Sequence, residues 1–359
     1  MKNLNKKLNL IRKKDKTYSG EYWKVNSIFG NDWAMFFILL GGREAGKSYS
    51  VMEWGVKRKI KLKDNLKFYW FRLTDAAVDS LLAGGASKLI DPDLKKKFNI
   101  KTFRKGSTIF SYTEKIEKEK KIKENIKEFC EVLSCSTFYN TKGKGYFDNS
   151  FKGEYLIVLD EMNREESERN NFDIVYNFVN LIENVARSTK QKIKIIMIGN
   201  TLEEASDLLA AFNFIPDEFG RYKLKRRRCV VDYIKPNEKY LARRKGTAAD
   251  LLAPQASTFT NEVKIDRSLL VNKRQRIKPL YVVKFKKTKD AWFTIWNDRI
   301  VSDFNNEERP VIAMRRYLDE EFNLSKVNSI IEIFDSRAFR FVNLACFKKF
   351  QKQLKLLKK

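Results

Sequence analysis

Apolar residues in this chain gather into a few short unbroken runs separated by polar stretches. The run Trp33–Leu40 (WAMFFILL) is far shorter than the ~20 residues that a bilayer-crossing helix needs. Its length suits a strand buried on both faces, as in a parallel sheet. Lys67–Leu73 (KFYWFRL), Tyr155–Leu159 (YLIVL) and Ile193–Ile198 (IKIIMI) predict three further strands, and Ile109–Tyr112 a short one. Between them the apolar spacing becomes helical, at Tyr49–Ile60 and at Phe172–Arg187. Strands alternating with helices predict an α/β domain with a doubly wound, mostly parallel sheet. Lys115–Lys127 (KIEKEKKIKENIK) is highly charged and helix-prone, and predicts a solvated helix.

The alternation fades after about Pro216, where a basic segment runs from Arg221 through Lys223 and Lys225 to Arg226, Arg227 and Arg228. Pro236–Thr260 carries Pro, Ala, Gly and Ser and predicts a linker or small subdomain. From Leu280 the pattern turns hairpin-like: LYVVKF, then AWFTIW, then IVSDF. Helical segments follow, and Leu344–Leu357 reads as a basic amphipathic helix. The expected organisation is residues 1–235 as the first domain, 236–262 as the connecting piece, and 263–359 as a small α+β domain. Met1–Lys16 is a basic tail, mobile or laid on the surface. It has no apolar core of the kind a signal peptide carries.

Composition narrows the chemistry. The 359 residues include 73 Lys+Arg and 45 Asp+Glu, a formal net charge of +28. A surplus of that sign attracts a polyanion, of which nucleic acid is the commonest. There is no histidine. That excludes Ser-His-Asp and Cys-His catalysis and His-ligated zinc, so a general base must be a carboxylate or a lysine. Cys130, Cys135, Cys229 and Cys346 are scattered and read as reduced structural thiols of a cytosolic protein.

One segment matches a motif with a defined mechanism. Gly41-Gly42-Arg43-Glu44-Ala45-Gly46-Lys47-Ser48 fits G-x-x-x-x-G-K-[ST], with a buried strand before it and a helix after it. The glycines let backbone N–H groups wrap the phosphates of ATP, Lys47 reaches the β and γ oxygens, and Ser48 is a ligand for Mg²⁺. The following helix aims its N-terminus at the same charge. Asp160 and Glu161 end a second buried strand, at the edge where α/β sheets bind ligands. Asp160 is the expected Mg²⁺ partner. Glu161 is the candidate base for an attacking water. Asn200 ends a further strand, where it either senses the γ-phosphate or the attacking water, or forms a turn. Candidates for the positive charge near the leaving phosphate are Arg43 and Arg187, with Arg164 and Arg169 just past Glu161. Trp33 and Phe36 lie near the loop in sequence and are expected in the core.

The order GGREAGKS, YLIVLDE, NLIENVARS, IIMIGNT resembles the phi-29-like phage DNA-packaging ATPases, additional-strand P-loop motors related to large terminases. The likeness is specific in these motifs and only pattern-level in the C-terminal third. It implies a P-loop ATPase domain and an RNase-H-like C-terminal domain with a vestigial nuclease. It also implies a homopentameric ring around double-stranded DNA, in the host cytoplasm and docked transiently on the portal of a viral procapsid. Whether a structural RNA or a protein cap docks the ring is left open. By position, Arg187 falls at the trans-acting arginine finger, Arg43 at the cis arginine, and Asn200 at the coupling motif. Lys142 and Lys144 fall in a DNA-gripping loop. No membrane partner is implied.

Two-metal cleavage needs several carboxylates on adjoining strands. Tyr281–Phe285 carries Lys284 instead, and Asp232, Asp298, Asp303 and Asp335 read as structural, so nuclease activity is not expected. Two other functions fit the same motifs: a helicase-like ATPase of replication, and a nucleotide-gated DNA-binding scaffold with little hydrolysis.

Overall fold

The computed structural model describes residues 18–19, 22–25, 32–117, 120–137, 150–163, 173–187, 192–200, 206–212, 214–216, 218–252, 279–284, 292–298, 309–314, 334, 340–341, 347–348 and 350–351. The chain divides into two compact units. One is Met1–Ala205 with Glu218–Val263, and the other is Ser206–Asp217 with Lys264–Lys359. Among the described residues no helix is long and apolar enough to cross a membrane.

The first unit opens with β1 (Tyr18–Ser19) and β2 (Tyr22–Trp23), a short antiparallel pair. Then come β3 (Phe36–Leu40), α1 (Lys47–Leu62), β4 (Leu66–Arg72), α2 (Asp75–Ala86) and α3 (Pro92–Lys97). They are followed by β5 (Lys101–Lys105), β6 (Thr108–Glu117), β7 (Lys120–Ser134), β8 (Glu154–Asp160), α4 (Ile174–Ala186) and β9 (Ile193–Gly199). After α5 (Ser206–Ala211), which belongs to the second unit, the chain returns as β10 (Gly220–Leu224), β11 (Cys229–Tyr233), α6 (Glu238–Arg244) and α7 (Ala248–Leu252).

Nine strands form one sheet in the order β10-β11-β3-β9-β8-β4-β7-β6-β5. From β11 to β7 every neighbouring pair is parallel. β10, β6 and β5 are antiparallel additions at the two margins. Every residue of β9 is buried, and all but the first of β3 and of β8. That is the signature of a parallel sheet with both faces covered. Phe37, Val56, Phe68, Leu156 and Ile196 belong to one core cluster with the inner side of α1. Gly55 lets α1 approach closely: a Cβ there would stand 2.7 Å from the Phe68 ring. Strand β9 lies between the strand that leads into Gly41–Ser48 and the strand that ends in Asp160.

Two expectations are overturned. Residues 115–117 and 120–127 are not helical but belong to the antiparallel strands β6 and β7, and the short strand expected at Ile109–Tyr112 lies within the longer β6. The charges of this stretch serve a ladder as well as a helix, since opposite charges across strands attract. Lys123 faces Glu114 in register, Lys115 stands 3.8 Å from Glu124, and the Lys123 ammonium lies 4.2 Å from the centre of the Phe103 ring. The pair of strands is anchored where Glu131–Ser134 adds to β4. The second correction is at Pro216, beyond which the sheet continues. The basic segment forms β10 and the turn into β11, and β11 adds in parallel to β3. Arg221 and Asp232 are nearly buried and 3.2 Å apart across β10 and β11.

Residues 236–262 contribute α6 and α7 to the first unit. In the second unit β12 (Pro279–Lys284), β13 (Trp292–Asp298) and β14 (Arg309–Met314) run antiparallel, with β15 (Arg340–Phe341) parallel to β14. Phe341 and Phe350 are buried there against each other and against Phe334, and Phe347 packs on Phe334 and Phe341. Lys284 ends β12 and Asp298 ends β13. Asp303, Asp335, IVSDF beyond Asp298 and most of Leu344–Leu357 lie outside the described residues.

Candidate nucleotide site

The loop Gly41–Ser48 joins β3 to α1, and its carbonyls account for its shape. The Lys47 ammonium donates to the carbonyls of Gly41 and Gly42, both at 2.7 Å. The carbonyl of Arg43 accepts from the Tyr240 hydroxyl at 2.8 Å, and that of Glu44 from the Arg243 guanidinium at 2.9 Å. The carbonyl of Ala45 accepts from the Trp23 N–H at 2.9 Å. A trans peptide sets each C=O opposite to the following N–H. Tying the carbonyls of residues 43–45 to the outer wall therefore turns the N–H groups of Glu44, Ala45 and Gly46 the other way. Left-handed backbone at Glu44 (φ 61°) and Gly46 (φ 85°) bends the loop into the concavity that such groups use for anions. Gly46 also lies against Tyr22: a Cβ there would stand 3.2 Å from the Tyr22 side chain.

Lys47 begins α1 and is buried. Burial lowers its ammonium to about 8, against the pull of Asp160 and Glu161 and with a further push from Arg43. An ammonium removed from water in this way is strengthened by an added anion.

Two strands bring the acids to the loop. Asp160 ends β8 and is only 3 % exposed. The Ser48 hydroxyl donates to its carboxylate at 2.8 Å. Glu161 follows with left-handed backbone (φ 53°) and a half-exposed side chain. Arg72, at the end of β4, holds both: its guanidinium stands 3.4 Å from Asp160 and pairs with Glu161. Sequence reasoning missed Arg72. KFYWFRL and YLIVLDE each place a charged residue directly after an apolar run, but only the register of β4 and β8 brings the two together.

Asn200 follows β9 at the same edge, beside the loop, since the Gly41 N–H bonds the Gly199 carbonyl at 3.3 Å. Register brings Asp160 opposite Ile198. Arg187 caps the C-terminus of α4 with φ 42° and an exposed side chain, and Arg43 stands exposed at the loop apex. Trp33 packs against the core, and Phe36 begins β3, at the end away from the loop. Lys142, Lys144, Arg164 and Arg169 lie outside the described residues.

The oxygen donors fit magnesium by their chemistry. A hydroxyl and a buried carboxylate are hard ligands, and Mg²⁺ is commonly held by one or two protein oxygens with phosphate oxygens and water completing the shell. Among the described residues no group of three or more acids and cysteines offers a rival metal site.

Comparison with protein-family models and with curated proteins finds no match. Among solved structures the chain is similar to the Phi-28 gp11 DNA packaging motor, with a TM-score of 0.59 at 16 % identity over 94 % of this chain and 99 % of that one. It is also similar to the bacteriophage Phi-29 viral genome packaging motor assembly, with a TM-score of 0.57 at 15 % identity over 93 % and 98 %. Identities this low speak for the fold. In fold, the chain matches the Phi-28 and Phi-29 DNA packaging motors across nearly its whole length.

Proposed function

We propose that the chain is an ATP-hydrolysing motor that moves double-stranded DNA into a preformed viral capsid. The observation that carries the reading is the Ser48–Asp160 hydrogen bond, with Glu161 beside it. It joins a phosphate-cradling loop to an acid pair from a different strand, the arrangement that phosphoryl transfer uses. The likeness in fold to packaging motors supports the same reading.

The roles follow from position. N–H groups of the loop and the N-terminus of α1 take the phosphates, and Lys47 takes the β and γ oxygens. Ser48 and Asp160 would hold Mg²⁺. When bound, that ion neutralises charge gathering on the transferred group. Glu161 orients and deprotonates the attacking water, a task that falls to a carboxylate in a chain without histidine. It must first leave Arg72, so Arg72 sets how readily the base is available. Asn200 stands where it can report the γ-phosphate to β9.

Arg187 is assigned as the finger supplied to a neighbour's ATP, with Arg43 as the cis arginine. A finger from outside the chain's own site requires a ring, taken as a pentamer at the capsid portal, acting in the host cytoplasm. Lys142 and Lys144 are assigned to the DNA backbone. Residues 263–359 are assigned as an RNase-H-like domain that binds nucleic acid without cutting it.

The test is ATP turnover with and without long duplex DNA, for the natural chain and for Glu161→Gln. Duplex is expected to stimulate turnover, and the variant to lose about a hundredfold or more while still binding ATP. Unchanged turnover in the variant would remove Glu161 as the base. Stimulation by forked or single-stranded DNA but not by intact duplex would favour a helicase. Tight ATP binding with negligible turnover would favour a scaffold.

A further inference from the structure

Resting on the nucleotide-site reading above, we propose that α6 holds the loop open for phosphate before phosphate arrives. Tyr240, Arg243 and Arg244 are its positioning residues. α6 is fixed at its start by Asn237, whose side chain accepts from the Tyr240 N–H at 2.7 Å. That places Tyr240, 1 % exposed, with its hydroxyl on the Arg43 carbonyl. Burial raises the Tyr240 phenol above its ordinary range, so it remains a donor.

The two arginines act on the next residue. Arg243 donates to the Glu44 carbonyl at 2.9 Å and to the Tyr22 hydroxyl at 3.0 Å. Its guanidinium also lies over the Tyr22 ring, 4.9 Å from the centre. Arg244 pairs with the Glu44 carboxylate at 2.9 Å and approaches the Arg43 carbonyl at 3.4 Å.

Glu44 needs this support. Left-handed backbone at a residue other than glycine persists only where its surroundings over-determine it, and here α6 grips its carbonyl, its carboxylate and the carbonyl before it. The bonds to the two carbonyls turn the N–H groups of Glu44 and Ala45 toward the concavity, and the pair with the carboxylate holds the Glu44 side chain. Without them the Arg43–Glu44 and Glu44–Ala45 peptides are free to flip, and the loop must reorder for every phosphate it binds. Preorganisation of this kind adds to affinity and leaves the chemical step alone.

The experiment uses the full chain and two readouts. Binding of inorganic tripolyphosphate is measured by calorimetry, and ATP turnover gives KM and kcat. Tyr240→Phe removes one oxygen and keeps the ring. It is expected to weaken tripolyphosphate binding about fivefold and to raise KM by the same factor, with kcat within about twofold. Arg244→Gln is expected to lose about tenfold, and Arg244→Lys to recover part of it through the Glu44 carboxylate. Melting curves without ligand record the fold, which a merely structural role would change instead.

Unchanged tripolyphosphate affinity in Tyr240→Phe and Arg244→Gln would overturn the proposal. So would an affinity loss that appears only with a collapsed melting curve, or a fall in kcat at constant KM. The underlying reading fails separately. A natural chain that binds tripolyphosphate but does not hydrolyse ATP would end the ATPase assignment and leave the role of α6 readable in the binding arm. A natural chain that binds no tripolyphosphate would end both.

Discussion

Arg72 ends β4 beside Asp160 because the register sets Phe71 opposite Leu159, which carries the next residues of the two strands to the same edge. A carboxylate as buried as Asp160 is costly unless an opposite charge and hydrogen bonds meet it. Ser48 supplies a hydroxyl and Arg72 a guanidinium. The planar fork of arginine suits a task shared between two acids, since a lysine ammonium is a point charge without that geometry. Removing one partner of a buried charge costs far more than the pair contributes. Arg72→Ala is therefore expected to lower stability by about 3 kcal/mol, read from urea unfolding, and Arg72→Lys by less. A loss below about 1 kcal/mol for Arg72→Ala would mean that water, not Arg72, neutralises the pair. Lys47 belongs to the same balance: burial loosens its hold on the proton, and an anion bound beside it, as the proposed function has it, would tighten that hold.

At the scale of elements, the margins of the sheet depart most from the sequence pattern, and the Arg221–Asp232 pair shows why. β10 carries Arg221 and Lys223 among its five residues, so its basic character hides a strand. The pairing with Asp232 of β11 meets the charge of the buried arginine. Truncating one partner, as in Asp232→Ala, is expected to cost about 3 kcal/mol in urea unfolding. The joint change Arg221→Met with Asp232→Leu is expected to be near neutral, because two apolar side chains of similar size can replace an ion pair. A double variant as unstable as the single one would show that the pair contributes net stability. The β6–β7 pair was hidden for a related reason. Its lysines and glutamates satisfy a helical pattern and a cross-strand pattern alike, and the anchor of Glu131–Ser134 on β4 decides between them. By contrast β3, β8 and β9 were legible, because strands covered on both faces carry near-continuous apolar runs, which only Lys194 interrupts inside these three. The loop Gly41–Ser48 was legible from residue spacing, as were the acids at the end of β8. Arg72 and α6 were not, since one depends on register and the other on a helix that returns to the loop from nearly 200 positions downstream, as in the Tyr240–Arg43 separation of 197.

At the scale of the whole molecule, the surplus of 73 Lys+Arg over 45 Asp+Glu remains after the ion pairs are formed, because each pair consumes one charge of either sign. Self-repulsion of +28 opposes compaction, so a polyanion that neutralises part of it gains twice, from direct contact and from relief of that repulsion. On the proposed function the chain must bind every sequence alike, and contacts to phosphate do this because the backbone carries no sequence information. Each neutralised phosphate releases condensed counterions, so binding must weaken as salt rises. If one subunit covers about six phosphates, the logarithm of its duplex affinity should fall against the logarithm of salt with a slope of about −5. Single strands should give a shallower slope for the same contacts, about −4. Duplexes of equal length and unrelated sequence should bind within about twofold of one another, since discrimination against a wrong base pair is what base-edge contacts provide, at ~1–3 kcal/mol each. Titration of labelled duplexes by fluorescence anisotropy, at several salt concentrations and without nucleotide, measures all three quantities. A flat salt dependence, or strong preference for one sequence, would contradict a phosphate-reading surface. It would assign the positive surplus to some other polyanion or to specific recognition of a short site.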